Sequence, residues 1–417
     1  MPAMVRLNSF RGRKLKILLA CMGPGIVVML ADTDAGSVIT AAQSGAQWGY
    51  KLVLLQFLLV PVLYMVQELT VRLGIFTGKG HGELIRETFG PTWAWISVGG
   101  LAVAAAGALV TEFVGVTGAG ELFGVPRGVS CSLAAAFLLV IVWTGSYRQV
   151  ERAAIALGLF EFAFLGVAVA ARPHAHEMAI GLMHMPLRNP SYLYLVAANI
   201  GAVIMPWMIF YQQSAVVDKG LRGKHYRREC WDTAIGSVVT QIVMAAIIVA
   251  SAATIGRTDP HAALNSVGQI SKAITPFLGR NMGRLIFSLG IVGAAMVAAI
   301  VVSLAAAWGA GEVIGFKHSL EHDPLEAPWF YIAYSIVVAC GAGAVVAIPN
   351  LIALSVAVQV MNALLLPLVL GFLVALAIKA LPPERRLKGW YCWVVISVCV
   401  LTAGLGVYGG LSGSGWF

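Results

Sequence analysis

Apolar residues recur in long runs from residue 17 to residue 410, and polar residues gather in short gaps between them. Roughly twenty apolar residues carry a helix across a bilayer. The pattern predicts eleven crossings, at 17–46, 50–71, 91–117, 129–146, 153–171, 193–217, 232–255, 283–307, 328–348, 350–378 and 389–410. Backbone groups in lipid must satisfy one another, so these runs are helices. The expected fold class is an all-α polytopic membrane protein, one membrane domain with no soluble one. The first run continues past Gly23-Pro24-Gly25 without a small-residue cleavage site, so a crossing is expected there and not a removed signal peptide.

The gaps set the orientation. With the N-terminus in the cytoplasm, inside segments hold 20 Lys and Arg and outside segments hold 8, which accounts for all 28. Cytoplasmic loops carry such an excess, so the N-terminus is expected inside and the C-terminus outside. The net charge of +9 then reflects topology and anionic lipid contact, and needs no nucleic-acid partner. Only 11% of the residues are charged, against about a quarter in a soluble domain. The six cysteines lack tight metal spacing and read as small packed hydrophobes. The segment 258–281 is the longest outside loop, with room for a short surface helix.

Two spans contain helix breakers. The first carries Asp32-Thr33-Asp34-Ala35-Gly36-Ser37, and the sixth, five spans later, carries Gly201-Ala202-Val203-Ile204-Met205-Pro206-Trp207. Interrupted helices at corresponding places in two halves point to a transporter of inverted repeats, with its substrate near the midplane. The expected repeats cover about 17–171 and 193–378, with an extra helix at 389–410.

Asp32 and Asp34 are carboxylates inside the membrane, with no Lys or Arg in the spans to neutralise them. A buried acid there is costly, and a bound cation is its natural partner. The bland alternative is that one of them caps the half-helix starting near Gly36. Residues two apart do not share a helix face, so both need not hold one ion, and Asp34 lies nearer the break. Met205 offers a thioether that favours softer metals, or is simply packed. Ser37, Thr33 and the Ala202 carbonyl offer oxygens. Gln359 and Asn362 either add amide oxygens or bond helix to helix. Glu68, Glu112, Glu121, Glu161 and Glu312 lie in or near spans, as pathway or as buried hydrogen-bonding groups. All eight histidines fall in expected loops, so none stands ready as an intramembrane proton relay.

These residues resemble a family. Gly23-Pro24-Gly25, the Asp34-Ala35-Gly36-Ser37 break and Gly45-Ala46-Gln47-Trp48-Gly49-Tyr50-Lys51 are similar to the first span of the Nramp divalent-metal transporters. Arg72 to Lys79, Gly201 to Pro206 and Asp232-Thr233-Ala234-Ile235 resemble that family's second, sixth and seventh spans. The resemblance implies a leucine-transporter-like fold of two inverted five-helix repeats, broken in helices 1 and 6. It also implies a metal site at Asp34, Ser37, Ala202 and Met205, with Asp32 and Asn362 added here.

The departures narrow the expectation. The family's Asp-Pro-Gly-Asn becomes Asp34-Ala35-Gly36-Ser37, and Asp32 replaces an aromatic. Trp207 and Gln212 stand where the family carries two histidines. Gly118 stands for its third-span aspartate, while Glu121 aligns with its glutamate. This resembles the Nramp-related magnesium transporter branch. The expected function is import of Mg2+, with Mn2+ tolerated, by alternating access without proton coupling. The alternatives are a proton-coupled Mn2+ or Fe2+ symporter and a sodium-coupled carrier of organic solutes. The sequence has no metal triad, nucleophile elbow or phosphate loop, so no enzyme and no cofactor is expected. The partners are the metal substrate and the lipid bilayer, and the expected location is the plasma membrane.

Overall fold

A computed structural model describes residues 23–258, 264–275, 279–347 and 351–414. Among these, the regular elements are all helical. They are α1 (Pro24–Asp32), α2 (Ala35–Trp48), α3 (Val53–Thr77), α4 (His81–Phe89), α5 (Pro91–Glu121) and α6 (Arg127–Thr144). There follow α7 (Tyr147–Gly158), α8 (Ala163–Ala170), α9 (Ala175–Met183), α10 (Pro190–Val203), α11 (Pro206–Asp218) and α12 (Tyr226–Ala253). The rest are α13 (Ile255–Thr258), α14 (Val267–Ile274), α15 (Arg280–Ile314), α16 (Pro328–Ala347), α17 (Leu351–Lys379) and α18 (Gly389–Gly413).

Ten helical stretches among the described residues are long and apolar enough to span a membrane. The first of them, Ala35–Thr77, is two crossings. Span one runs in the same direction as α12: Met29 lies against Gly236, Thr33 bonds Thr240 at 2.8 Å, and Ala42 accepts from Ser251 at 2.7 Å. Then α3 runs in the same direction as α10 and α11, with Gln56 bonded to Asn199 and Thr70 to Gln212. Because α11 and α12 form a hairpin in which Gln212 meets Thr233, α2 and α3 must be antiparallel. The reversal falls at Gly49, whose φ of 60° suits glycine. The described residues thus hold eleven candidate crossings.

Spans one and seven thus form one parallel pair and spans six and two the other. A shift of five spans exchanges the pairs, which is the symmetry of inverted five-helix repeats.

Both expected breaks are present. Span one stops at Asp32 and restarts at Ala35; span six stops at Val203 and restarts at Pro206. Proline suits the first turn of α11, because a helix has no use for the N–H there. The N-terminus of α1 has no cap of its own. Asp232 of α12 supplies one, accepting from Gly23 N at 3.1 Å and Ile26 N at 2.9 Å. Span five holds an interruption the apolar pattern did not announce, a tight 3-10 turn at Leu159–Phe162 between α7 and α8. The short helix expected within 258–281 is present as α14, with Val267 and Ile270 buried.

The histidines need a correction. His81 opens α4 and is fully buried, its Nδ1 2.9 Å from the Gln213 amide oxygen and its ring edge-on to Phe210. It is part of the packed core and not of a solvated loop. His176 lies within α9, while His261 lies outside the described residues.

Candidate metal site

The site is where the breaks of spans one and six meet α17. Asp34 is the N-cap of α2, and its Oδ1 accepts the Ser37 N–H at 2.6 Å. The capping alternative is therefore real, but it engages one oxygen only. Oδ2 is buried and meets no hydrogen-bond donor. From α17, Gln359 donates its amide to Oδ1 at 3.3 Å, and Asn362 donates to Gln359 Oε1 at 3.0 Å. Asn362 Oδ1 has no donor, and its side chain is wholly buried. The bland reading of these two amides, helix-to-helix bonding, holds for one end of Asn362 and leaves the other free.

Small residues allow this approach. A Cβ on Gly36 would strike the Gln359 amide and the Thr111 hydroxyl, and one on Gly201 would strike the Gln359 carbonyl and the Ala363 N–H. Glycine is the residue that lets backbones come this close.

Ser37 donates its hydroxyl to the Ala202 carbonyl at 3.1 Å. One bond thus ties the first break to the sixth. A cation seated here would take the Ala202 carbonyl from the hydroxyl, which can rotate and offer a lone pair instead. Met205 is wholly buried in the gap before α11, as the N-cap residue of that half-helix.

Glu112 belongs to the site, although its position among several intramembrane glutamates gave no reason to single it out. It lies on α5 and accepts from Ala35 N at 3.0 Å and from the Thr111 hydroxyl at 3.1 Å. Its carboxyl also reaches Asp34. Two buried carboxylates side by side repel each other, and a positive charge between them relieves it. Among the described residues no ion pair supplies that charge: the salt bridges involve Glu68, Glu87, Glu121, Glu151, Glu177 and Glu326. The oxygens gathered here are hard donors, which suit a divalent cation.

Asp32 is not brought to this group. It turns toward α12, where Thr240 and Gln241 donate to its Oδ2 at 3.1 and 3.2 Å. Glu121 also lies apart, half-exposed and ion-paired with Arg127 at the end of α5. Glu68 pairs with Arg72 at 2.8 Å, and Glu312 caps α4 through Gly82 N at 2.7 Å. Trp207 and Gln212 are fully buried. Gln212 bonds Thr70 and Thr233, which locks α3, α11 and α12 together without a titratable group.

Two broken spans meeting over buried carboxylates define a membrane transporter of the broken-helix class. The chain belongs to the Nramp family, described as natural resistance-associated macrophage protein-like, whose profile matches residues 25–412. It is a family of membrane metal transporters, not of enzymes. The divalent metal cation transporter MntH of Bradyrhizobium diazoefficiens is 29% identical over 303 residues, 69% of this chain and 66% of that protein. The transporter of the same name from Klebsiella pneumoniae is 27% identical over 336 residues, 79% of each. Among solved structures, the Eremococcus coleocola manganese transporter superposes with a TM-score of 0.73 at 19% identity, covering 96% of this chain and 87% of that one. A sodium-coupled sialic acid symporter superposes with a TM-score of 0.63 at 13% identity, covering 95% and 90%. The leucine-transporter-like fold expected from sequence is the fold observed.

Proposed function

We propose that this chain imports Mg2+, with Mn2+ tolerated, by alternating access and without proton coupling. The observation that carries this reading is the break itself. Asp34 Oδ2 and Asn362 Oδ1 are buried and lack donors, beside a second carboxylate, Glu112. A divalent cation supplies the missing charge. Magnesium keeps several waters and wants hard oxygens, which the carboxylates, the amides and the Ala202 carbonyl offer. The residues we assign to the ion are Asp34, Ser37, Ala202, Asn362 and, beside it, Met205, with Glu112 and Gln359 positioning the set. The repeats we assign are 17–171 and 193–378. The N-terminus lies in the cytoplasm of a plasma membrane whose potential draws cations inward.

A second reading has one observation in its favour. Met205 is buried at the break, and a thioether ligand prefers manganese or iron to magnesium. The names of the MntH relatives and of the Eremococcus transporter agree with it. Liposomes holding the purified chain separate the two. Mg2+, Mn2+ and Ca2+ uptake are compared with internal pH recorded. Mg2+ uptake at constant internal pH supports the proposal; Mn2+ uptake alone, with acidification, replaces it by a proton-coupled manganese symporter.

A further inference from the structure

Asp32 is a buried carboxyl group for which the transport site has no use. It is the last residue of α1. The carbonyl end of a helix carries partial negative charge, so a carboxylate is misplaced there unless a cation joins it. Its Oδ2 is satisfied by Thr240 and Gln241, but its Oδ1 meets no donor. Gln241 is wholly buried and holds its amide against Asp32, and its own Oε1 also lacks a donor.

A second carboxylate lies nearby. Glu161 sits on the 3-10 turn that interrupts span five, is 1% exposed, and has an Oε1 without a donor. It reaches the Thr33 side chain, which bonds Thr240, which in turn donates to Asp32. No ion pair among the described residues includes Asp32 or Glu161. Burying a carboxylate unpaired is expensive, and two together more so. A cavity of about 470 Å³ between α1, the Leu159–Phe162 turn and α12 has mostly apolar walls, with Thr33, Glu161 and Thr240 among its polar lining and Arg228 also on it.

We propose a second cation site here, oxygen-ligated and divalent, built from Asp32, Glu161 and Gln241 with the Thr33 and Thr240 hydroxyls. It lies on the α12 side of the Thr33–Asp34 break, whereas the transport site lies on the α5 and α17 side. Two carboxylates match a doubly charged ion. Three free oxygens of hard type select magnesium, calcium or manganese over softer metals. An ion seated here fixes the C-terminal end of α1 against α12, and so fixes one edge of the transport site.

The test counts Mn2+ bound to the full chain in lipid nanodiscs at constant pH, by equilibrium dialysis with electron paramagnetic resonance readout. Wild type is expected to bind two ions per chain. Asp34→Ala, which leaves the second cluster intact, is expected to keep one, displaced by Mg2+ but not by Na+ at equal ionic strength. Adding Asp32→Asn and Glu161→Gln, both isosteric, is expected to remove that remaining ion. Loss of all Mn2+ on Asp34→Ala alone overturns the proposal. So does an unchanged count in the triple variant, or displacement of the remaining ion by Na+. The count does not depend on transport: a chain that carried no metal would still show the second ion or lack it.

Discussion

Gln359 donates its amide to the same Asp34 oxygen, Oδ1, that already accepts the Ser37 backbone N–H, at 3.3 and 2.6 Å. Both positioning bonds fall on one side of the carboxylate. The other oxygen is left free, buried and held in orientation. The cap and the amide thus aim the lone pairs of Oδ2, and the carboxylate enters the site preorganised.

Asp34→Ala should therefore abolish metal uptake, while Gln359→Ala should only weaken it. Losing a charge-assisted contact costs about 1.5–3 kcal/mol, roughly tenfold to a hundredfold in affinity. Losing the Gln359 amide removes orientation and leaves the charge, so a several-fold rise in the half-saturating Mg2+ concentration is expected. Uptake into liposomes at equal protein content measures both. Wild-type uptake by Asp34→Ala would sink the site assignment.

The breaks were legible in the sequence because Asp, Gly and Pro stand out inside apolar runs. What crosses between helices was not. Asp34 and Gln359 are 325 residues apart, and no local pattern joins them. Glu112 looked like one intramembrane glutamate among several until α5 set it beside the first turn of α2. Glu121 stands just past the third apolar run, and in the fold it closes α5, where Arg127 takes its charge. His81 follows Gly78-Lys79-Gly80, a turn sequence, and its burial comes from packing on Phe210 of α11. In each case tertiary contact, not propensity, decided the outcome.

Met205→Ala should leave Mg2+ uptake nearly unchanged and lower Mn2+ uptake by a few-fold. A hydrated magnesium ion gains little from sulfur, whereas manganese is the softer ion of the two. The Mg2+ to Mn2+ uptake ratio at matched concentrations reads this directly. A large loss of Mg2+ uptake would assign Met205 a shaping role in the site that its thioether chemistry does not explain.

His81 makes a prediction about pH and stability. Burial lowers its imidazole from 6.5 to about 4, and the bond to Gln213 only partly opposes this. The unfolded chain then binds a proton that the folded chain refuses between those values. Stability from the neutral ring is fully present above pH 6.5 and is lost as pH falls toward 4. Buried carboxylates change stability over the same range, so the quantity to compare is the slope. Melting temperature in detergent should fall less steeply from pH 6.5 to 4 in His81→Gln than in wild type. Equal slopes would show that His81 does not titrate as its burial requires.

Transport should run without protons. A coupled carrier needs a group that changes protonation between its two open states, and histidine suits this near neutral pH. By the sequence resemblance, Trp207 and Gln212 stand where the family carries its histidines, and Gln212 is fully engaged by Thr70 and Thr233. Gly118, which by the same resemblance stands for an aspartate, lies directly under the Val267 side chain of α14, where an added side chain would collide. Glu121 is outside the buried path, in an exposed pair with Arg127. Glu112, next to Asp34, is the buried carboxyl with which a proton could share the site. The membrane potential alone suffices to drive uptake: two charges at 100 mV are worth about 4.6 kcal/mol, at roughly 2.3 per charge. A pH-sensitive dye inside proteoliposomes should therefore stay constant while Mg2+ enters at a clamped potential. Acidification that tracks metal influx, and disappears in Glu112→Gln with metal uptake retained, would establish coupling through Glu112 and reject the uncoupled mechanism.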